Sequence, residues 1–112
     1  MKTSSVKAKG RRLQHYVRDK ILEIFSEHLT KDDVRSTAMG QGGEDIQLSS
    51  YGRFWFPFSV ECKARKTFSV YSHYDQSLQN AEGSKPLVVI KADRREPLAI
   101  MRFTDFMELL RK

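Results

Sequence analysis

Apolar positions recur along this chain at two spacings, and the change from one to the other marks out its elements. Leu13, Val17, Ile21, Leu22, Ile24 and Phe25 fall at helical spacing, which predicts an amphipathic helix from about Gly10 to His28 behind a flexible arm of residues 1–9. Thr30, with Lys31, Asp32 and Asp33 after it, reads as a capped single turn leading into an extended piece around Val34 to Ser36. The run AMGQGG then predicts a mobile loop. Asp45 to Leu48 and Phe58 to Ala64 read as strands, joined by a connection that contains Gly52 and Pro57. A polar-faced helix is expected over Tyr71 to Ala81, ended by Gly83. Two apolar strands, Leu87 to Ala92 and Leu98 to Phe103, flank the turn DRREP, and Thr104 is placed as the cap of a last helix through Leu110. The sum is a single mixed α/β domain over residues 10–112, with a central sheet flanked by helices.

Period two sharpens the strand at 58–64. Phe58, Val60, Cys62 and Ala64 share one face, and Ser59, Glu61, Lys63 and Arg65 the other, so an apolar side backs onto a charged one. The preceding strand alternates in the same way, with Ile46 and Leu48 opposite Asp45, Gln47 and Ser49. An antiparallel hairpin with its tip near Arg53 and Phe54 would set Asp45 beside Glu61 and Cys62, gathering Asp45, Glu61 and Lys63 into one polar cluster.

Charge locates a partner. The net +6 arises within residues 1–20, where Lys2, Lys7, Lys9, Arg11, Arg12, Arg18 and Lys20 face the single acid Asp19; beyond them thirteen basic and thirteen acidic residues balance. A basic arm running into a structured helix suits a polyanion, whose condensed counterions are released as phosphates are neutralised. A solubilising tail is the plainer alternative. The longest apolar runs are about four residues, against the ~20 a membrane helix needs. The start MKTSSVKAKGRR has no stretch resembling a secretory signal, and the single cysteine, Cys62, excludes an internal disulfide. A cytoplasmic location is therefore expected, with no membrane partner.

The carboxylates suggest a cofactor. Two of them held together repel, and one lysine hardly offsets that cost, whereas a divalent cation does. Carboxylate oxygens with a main-chain carbonyl are hard ligands that Mg²⁺ accepts while keeping waters that phosphate oxygens can replace. Asp45 and Glu61 would hold the metal, and Lys63 would orient the attacking water or neutralise developing charge. An exposed salt-bridged strand, worth under about 1 kcal/mol, is the simpler reading of Glu61 and Lys63 taken alone.

The wider pattern is more specific. A first helix, then Arg35-Ser36 before a flexible loop, then GGEDIQLS, then SVECKA, then helix and strand, resembles the PD-(D/E)XK nuclease superfamily. Within it the chain is most similar to the small Holliday junction resolvases of archaea and their phage, over about residues 9 to 92. The resemblance implies a homodimeric endonuclease acting on branched double-stranded DNA with Mg²⁺ or Mn²⁺. Asp45 and Glu61 would be ligands, joined by the backbone carbonyl of Cys62, and Lys63 would be catalytic. Where those enzymes carry a first-helix Glu this chain has Gln14, which can bind through its carbonyl oxygen or a water. The Pro of the superfamily's name is replaced by Glu44, which period two points away from the site. Ser36 and Thr37 are implied phosphate contacts, with ordinary loop hydrogen bonding as the alternative, beside the basic candidates Lys7, Lys9, Arg11, Arg12, Arg18, Arg35 and Arg65.

AMGQGG lacks the Gly-Lys-Ser/Thr of a P-loop. His15, His28 and His73 share no metal-ligand spacing and read as surface or helix residues. Gln76 or Gln79 would face either the site or solvent. RFWFPF is too apolar to sit in water, so it folds back or meets another chain, and a dimer interface is favoured because two symmetric nicks need two sites. Resolution of four-way junctions is thus the expected function. The alternatives are a nicking or repair endonuclease on other branched or damaged DNA, and a basic DNA-binding protein without catalysis.

Overall fold

Leu13, Val17 and Ile21 lie four apart, so they line one face of a helix, and all three are buried. In the computed structural model, which describes residues 3–38 and 40–111, that helix is α1 (Thr3–Ile24). It begins at Thr3 and not at Gly10, so Lys7 and Lys9 ride on a helix and not on a flexible arm. Lys2 lies outside the described residues, as does Met39 of the Gly-rich loop. Gly10 fails as a boundary because one glycine costs a helix only about 1 kcal/mol. Past Ile24 the chain turns, with Leu29 N–H donating to Phe25 O at 2.8 Å, and buried Leu29 closes the helix end against the core.

β1 (Val34–Ser36) pairs antiparallel with β2 (Ile46–Leu48), Val34 opposite Leu48 and Ser36 opposite Ile46. The expected hairpin between β2 and the 58–64 strand does not form. Residues 50–55 are a short helix, α2 (Ser50–Trp55), and β3 (Phe58–Ala64) pairs in parallel with β4 (Lys85–Lys91). The crossover between those two strands is α3 (Val70–Asn80). β5 (Leu98–Ile100) adds to β4 antiparallel, giving a mixed sheet of order β3-β4-β5. A last helix, α4 (Phe103–Leu109), follows with Arg102 and not Thr104 at its N-cap. The result is a three-layer α/β domain. α1 covers the face carrying Phe58, Val60, Cys62, Leu87 and Val89, and α3 packs on the other. Burial of both faces is what parallel pairing demands.

The start of α2 is fixed by hydrogen bonds from a turn further back. Ser49 Oγ accepts from Gly52 N–H at 2.9 Å and donates to Asp33 Oδ1 at 2.7 Å. Asp33 Oδ2 in turn accepts from Thr30 N–H at 2.9 Å, and these bonds hold the Asp33 carboxyl below its ordinary pKa. Gly52 has no room for a side chain, since a Cβ there would lie 2.8 Å from Asp33 O. Gly52→Ala is expected to destabilise the fold by about 1–3 kcal/mol through this overlap. Thermal unfolding should show a midpoint lower by several degrees, at about 4–8 °C per kcal/mol for a domain of this size. An unchanged midpoint would mean that the Asp33 turn yields freely.

RFWFPF largely folds back. Trp55 stacks on His28 with centroids 3.8 Å apart and leans on Phe25, and Phe56 meets Phe58 edge-on, which leaves Phe54 in solvent. No helix among the described residues is long and apolar enough to cross a membrane.

Candidate active site

Alternation along β3 sends Ser59, Glu61 and Lys63 to the α3 side of the sheet, and α3 covers them. Glu61 is only 4% exposed, a burial rarely given to a carboxylate without strong partners. One partner is Lys63, whose Nζ lies 3.3 Å from Glu61 Oε1. The other carboxylate oxygen, Oε2, is enclosed and has no hydrogen-bond partner among the described residues.

Asp45 reaches the same place without the hairpin. Its N–H donates to Val60 O at 2.9 Å, and its Oδ2 accepts from Cys62 N–H at 2.7 Å. The residue just before β2 is thus bound to the free edge of β3 by backbone and side chain together. Burial, opposed by the Cys62 N–H, raises the Asp45 carboxyl pKa to about 6; Glu61 pushes it further up and Lys63 down. A strand residue's N–H and C=O point to the same edge. The Cys62 carbonyl therefore points toward Asp45, on the side that its N–H already occupies. Its thiol lies in the core, where burial first and then Asp45 and Glu61 push its pKa up.

Two carboxylates, one raised toward neutrality and the other with an unsatisfied buried oxygen, fit a hard divalent cation. Asp45, Glu61 and the Cys62 carbonyl would supply its protein ligands. Among the described residues no group of three or more His, Cys, Asp or Glu side chains is gathered to hold a metal. The remaining coordination would therefore fall to water and to phosphate oxygens, the pattern of Mg²⁺ sites that work on phosphates.

The other expected site residues divide. Gln14 is half-buried on α1 and makes no hydrogen bond to Asp45, Glu61 or Lys63 among the described residues. Thr37 is buried, its N–H on Asp45 O at 2.8 Å and its hydroxyl on Glu44 O at 2.6 Å. It braces the loop that carries Asp45 and does not present its hydroxyl to a phosphate. Ser36 lies opposite Ile46 in the β1–β2 ladder and is half-buried. Glu44 turns away from the cluster onto Arg53, which also donates to Ser84 Oγ at 3.0 Å. Of the cations, Lys7, Arg11, Arg12 and Arg65 are exposed. Arg18 pairs with Asp19, Arg35 with Asp32 and Lys9 with Asp93.

Two side chains of α3 belong to the site's surroundings. His73, expected as a surface or helix residue, lies on α3 and is 7% exposed, and Ser77 is 1% exposed with its hydroxyl donating to Ser59 O at 3.3 Å. The crossover helix runs back against β3, so one turn up from Ser77 stands beside two residues on from Ser59. That sets His73 at the level of Glu61. Burial, then Arg65 and Lys63, lower its pKa and keep the ring neutral near pH 7. Its Nε2 is enclosed without a hydrogen-bond partner among the described residues. The four-residue spacing of His73 and Ser77 carries this face in the sequence, but both are polar and α3 reads as solvated. Gln76 and Gln79 take the solvent side.

Comparison with known proteins adds no relative to this geometry: no family model, curated protein or solved structure matches the chain.

Proposed function

We propose that this protein is a Mg²⁺-dependent endonuclease of PD-(D/E)XK type that nicks branched double-stranded DNA, with the four-way junction as its substrate and a homodimer as its working form. The observation that carries the reading is the enclosed Glu61 carboxylate with one oxygen unsatisfied, set beside Asp45 and Lys63. A purely structural Glu61–Lys63 pair would leave that oxygen at a cost of about 1–3 kcal/mol with no return.

Asp45, Glu61 and the Cys62 carbonyl hold the cation, which when bound neutralises phosphate charge and acidifies a water. Lys63 already lies on Glu61 Oε1. Its ammonium would orient the attacking water and meet negative charge growing on the phosphate oxygens. α3 shields this side of the sheet from bulk water, so the charges act at low effective dielectric. The basic face of α1 supplies sequence-independent grip on the backbone. Exposed Phe54, Phe103, Phe106, Leu109 and Leu110 offer apolar surface for a second copy, and paired nicks require two sites. A cytoplasmic location suits the single free thiol.

The test is incubation of the purified protein with a labelled four-way junction and a matched linear duplex, with Mg²⁺ or with EDTA. Paired Mg²⁺-dependent nicks near the branch are expected on the junction alone. Nicks on any branched or damaged DNA would point to a repair endonuclease, and binding of both DNAs without cutting would leave a non-catalytic DNA-binding protein.

A further inference from the structure

On the opposite side of the sheet from Glu61, α1 and the β4–β5 turn form the two walls of a groove of about 960 Å³, at the upper end of the size range of ligand clefts. Its floor is the end of β3, at Ala64 and Lys66. Six cations converge on it from three stretches far apart in sequence: Lys9 and Arg12 from the helix, Lys66 from the floor, and Lys91, Arg94 and Arg95 from the far wall. Two acids, Asp93 and Glu96, share the lining. Asp93 ties the walls together through Lys9, Nζ to Oδ1 at 2.9 Å. Concave walls of one prevailing sign focus the potential far more than the same charges spread over a convex surface.

The turn that brings the far wall into place is strained. Arg95 N–H donates to Ala92 O at 3.1 Å, and Arg94 sits at φ 60°, a left-handed conformation that favours glycine or asparagine. Arg94 lines the groove while held against the local backbone preference, the kind of outlier from which function is reasonably inferred.

We infer that this groove binds the sugar–phosphate backbone of one DNA strand, with the β4–β5 turn and α1 as its two jaws. The inference rests on the DNA partner proposed above and not on catalysis. The groove opens at the carboxyl ends of the parallel strands β3 and β4, where open α/β sheets take their ligands. It also gives the DRREP turn a role: composition beyond residue 20 is electrically balanced, yet the fold concentrates four of those later cations in one cleft.

The test is fluorescence anisotropy with a labelled linear duplex in EDTA, so that no cutting enters the readout, over about 50 to 200 mM salt. Arg94→Ala with Arg95→Ala should weaken binding about tenfold or more and flatten the log Kd against log salt slope by about 2, one for each phosphate no longer neutralised. The charge-matched pair Lys31→Ala with Arg111→Ala, away from the groove, should change affinity less than about twofold. Arg94→Gly removes one charge and the backbone strain together, so it should weaken binding without lowering the unfolding midpoint. Unchanged affinity and slope in the Arg94/Arg95 pair would overturn the inference, as would an equal loss in the Lys31/Arg111 pair, which would reduce the effect to net charge. A protein that cuts no junction but shows the groove effect would sink the endonuclease reading and leave this one standing.

Discussion

Glu61→Gln is expected to lower Mg²⁺-dependent junction cutting by about a thousandfold, the scale on which a preorganised charge at a reacting centre acts. Affinity for uncut junction in EDTA should change less than about threefold, because backbone grip lies with the surface cations. The substitution keeps the shape of the side chain and removes its charge, so the cation loses a ligand while α3 keeps its packing. It also strands Lys63, which is only 14% exposed and has Glu61 as its partner. Breaking a buried pair from one side costs about 3–5 kcal/mol, less here because Lys63 retains some contact with water. Lost activity could therefore reflect lost fold, and the double variant Glu61→Gln with Lys63→Met separates the two. Removing both charges should recover most of the unfolding midpoint and none of the cutting. Cutting retained in soluble, folded Glu61→Gln would refute the site.

Asp45→Asn should make the protein more stable while making it inactive. The Asp45 carboxyl has its pKa raised from 3.8 to about 6. The native state therefore holds a proton that the unfolded chain has given up between pH about 4 and 6, and stability falls as pH rises through that window. Above it the ionised, half-buried carboxylate is a standing cost of about 1–3 kcal/mol, discounted for its partial exposure. Asparagine can still accept from the Cys62 N–H and carries no charge. At pH 7.5 the variant should unfold at a higher temperature than the parent, and its midpoint should no longer decline from pH 4 to 6. Mg²⁺ should raise the parent's midpoint at pH 7.5 and leave the variant's unmoved, since a ligand stabilises only the state that binds it. A parent whose midpoint is insensitive to Mg²⁺ would remove the metal from the proposal.

The same residues show how far the sequence could be read. Alternation along 58–64 puts Glu61 and Lys63 on one face, and Asp45 does lie next to Val60 and Cys62. The hairpin expected to make them neighbours is absent. The connection containing Gly52 and Pro57 reads as a hairpin with its tip near Arg53 and Phe54, yet Ser49 caps a helix at 50–55, too short for a 3.6-residue period to be visible. β2 then takes β1 as its ladder partner, and Asp45, just before it, bonds to the edge of β3. The charged face of β3 reads as polar and open. It is buried, because the helix above it meets the sheet with His73 and Ser77, which no hydrophobicity pattern distinguishes from a wet surface. Gly10 likewise reads as a boundary, yet α1 runs through it. The groove was illegible for a different reason: its cations come from segments up to 86 residues apart, from Lys9 to Arg95, and only the fold sets them side by side.

The parallel pairing of β3 with β4 has a consequence for the making of the protein. Glu61 and Lys63 lie opposite Val88 and Ile90, and strand pairing over such a separation requires the intervening loop to close before any contact rewards it. On a chain emerging from the ribosome the carboxylates and the lysine are therefore present long before they form a cluster. β3 has no ladder partner until β4 has been synthesised, and its polar face has no cover until α3 has docked. The chemistry proposed for this site would therefore await the docking of α3 and the pairing of β4.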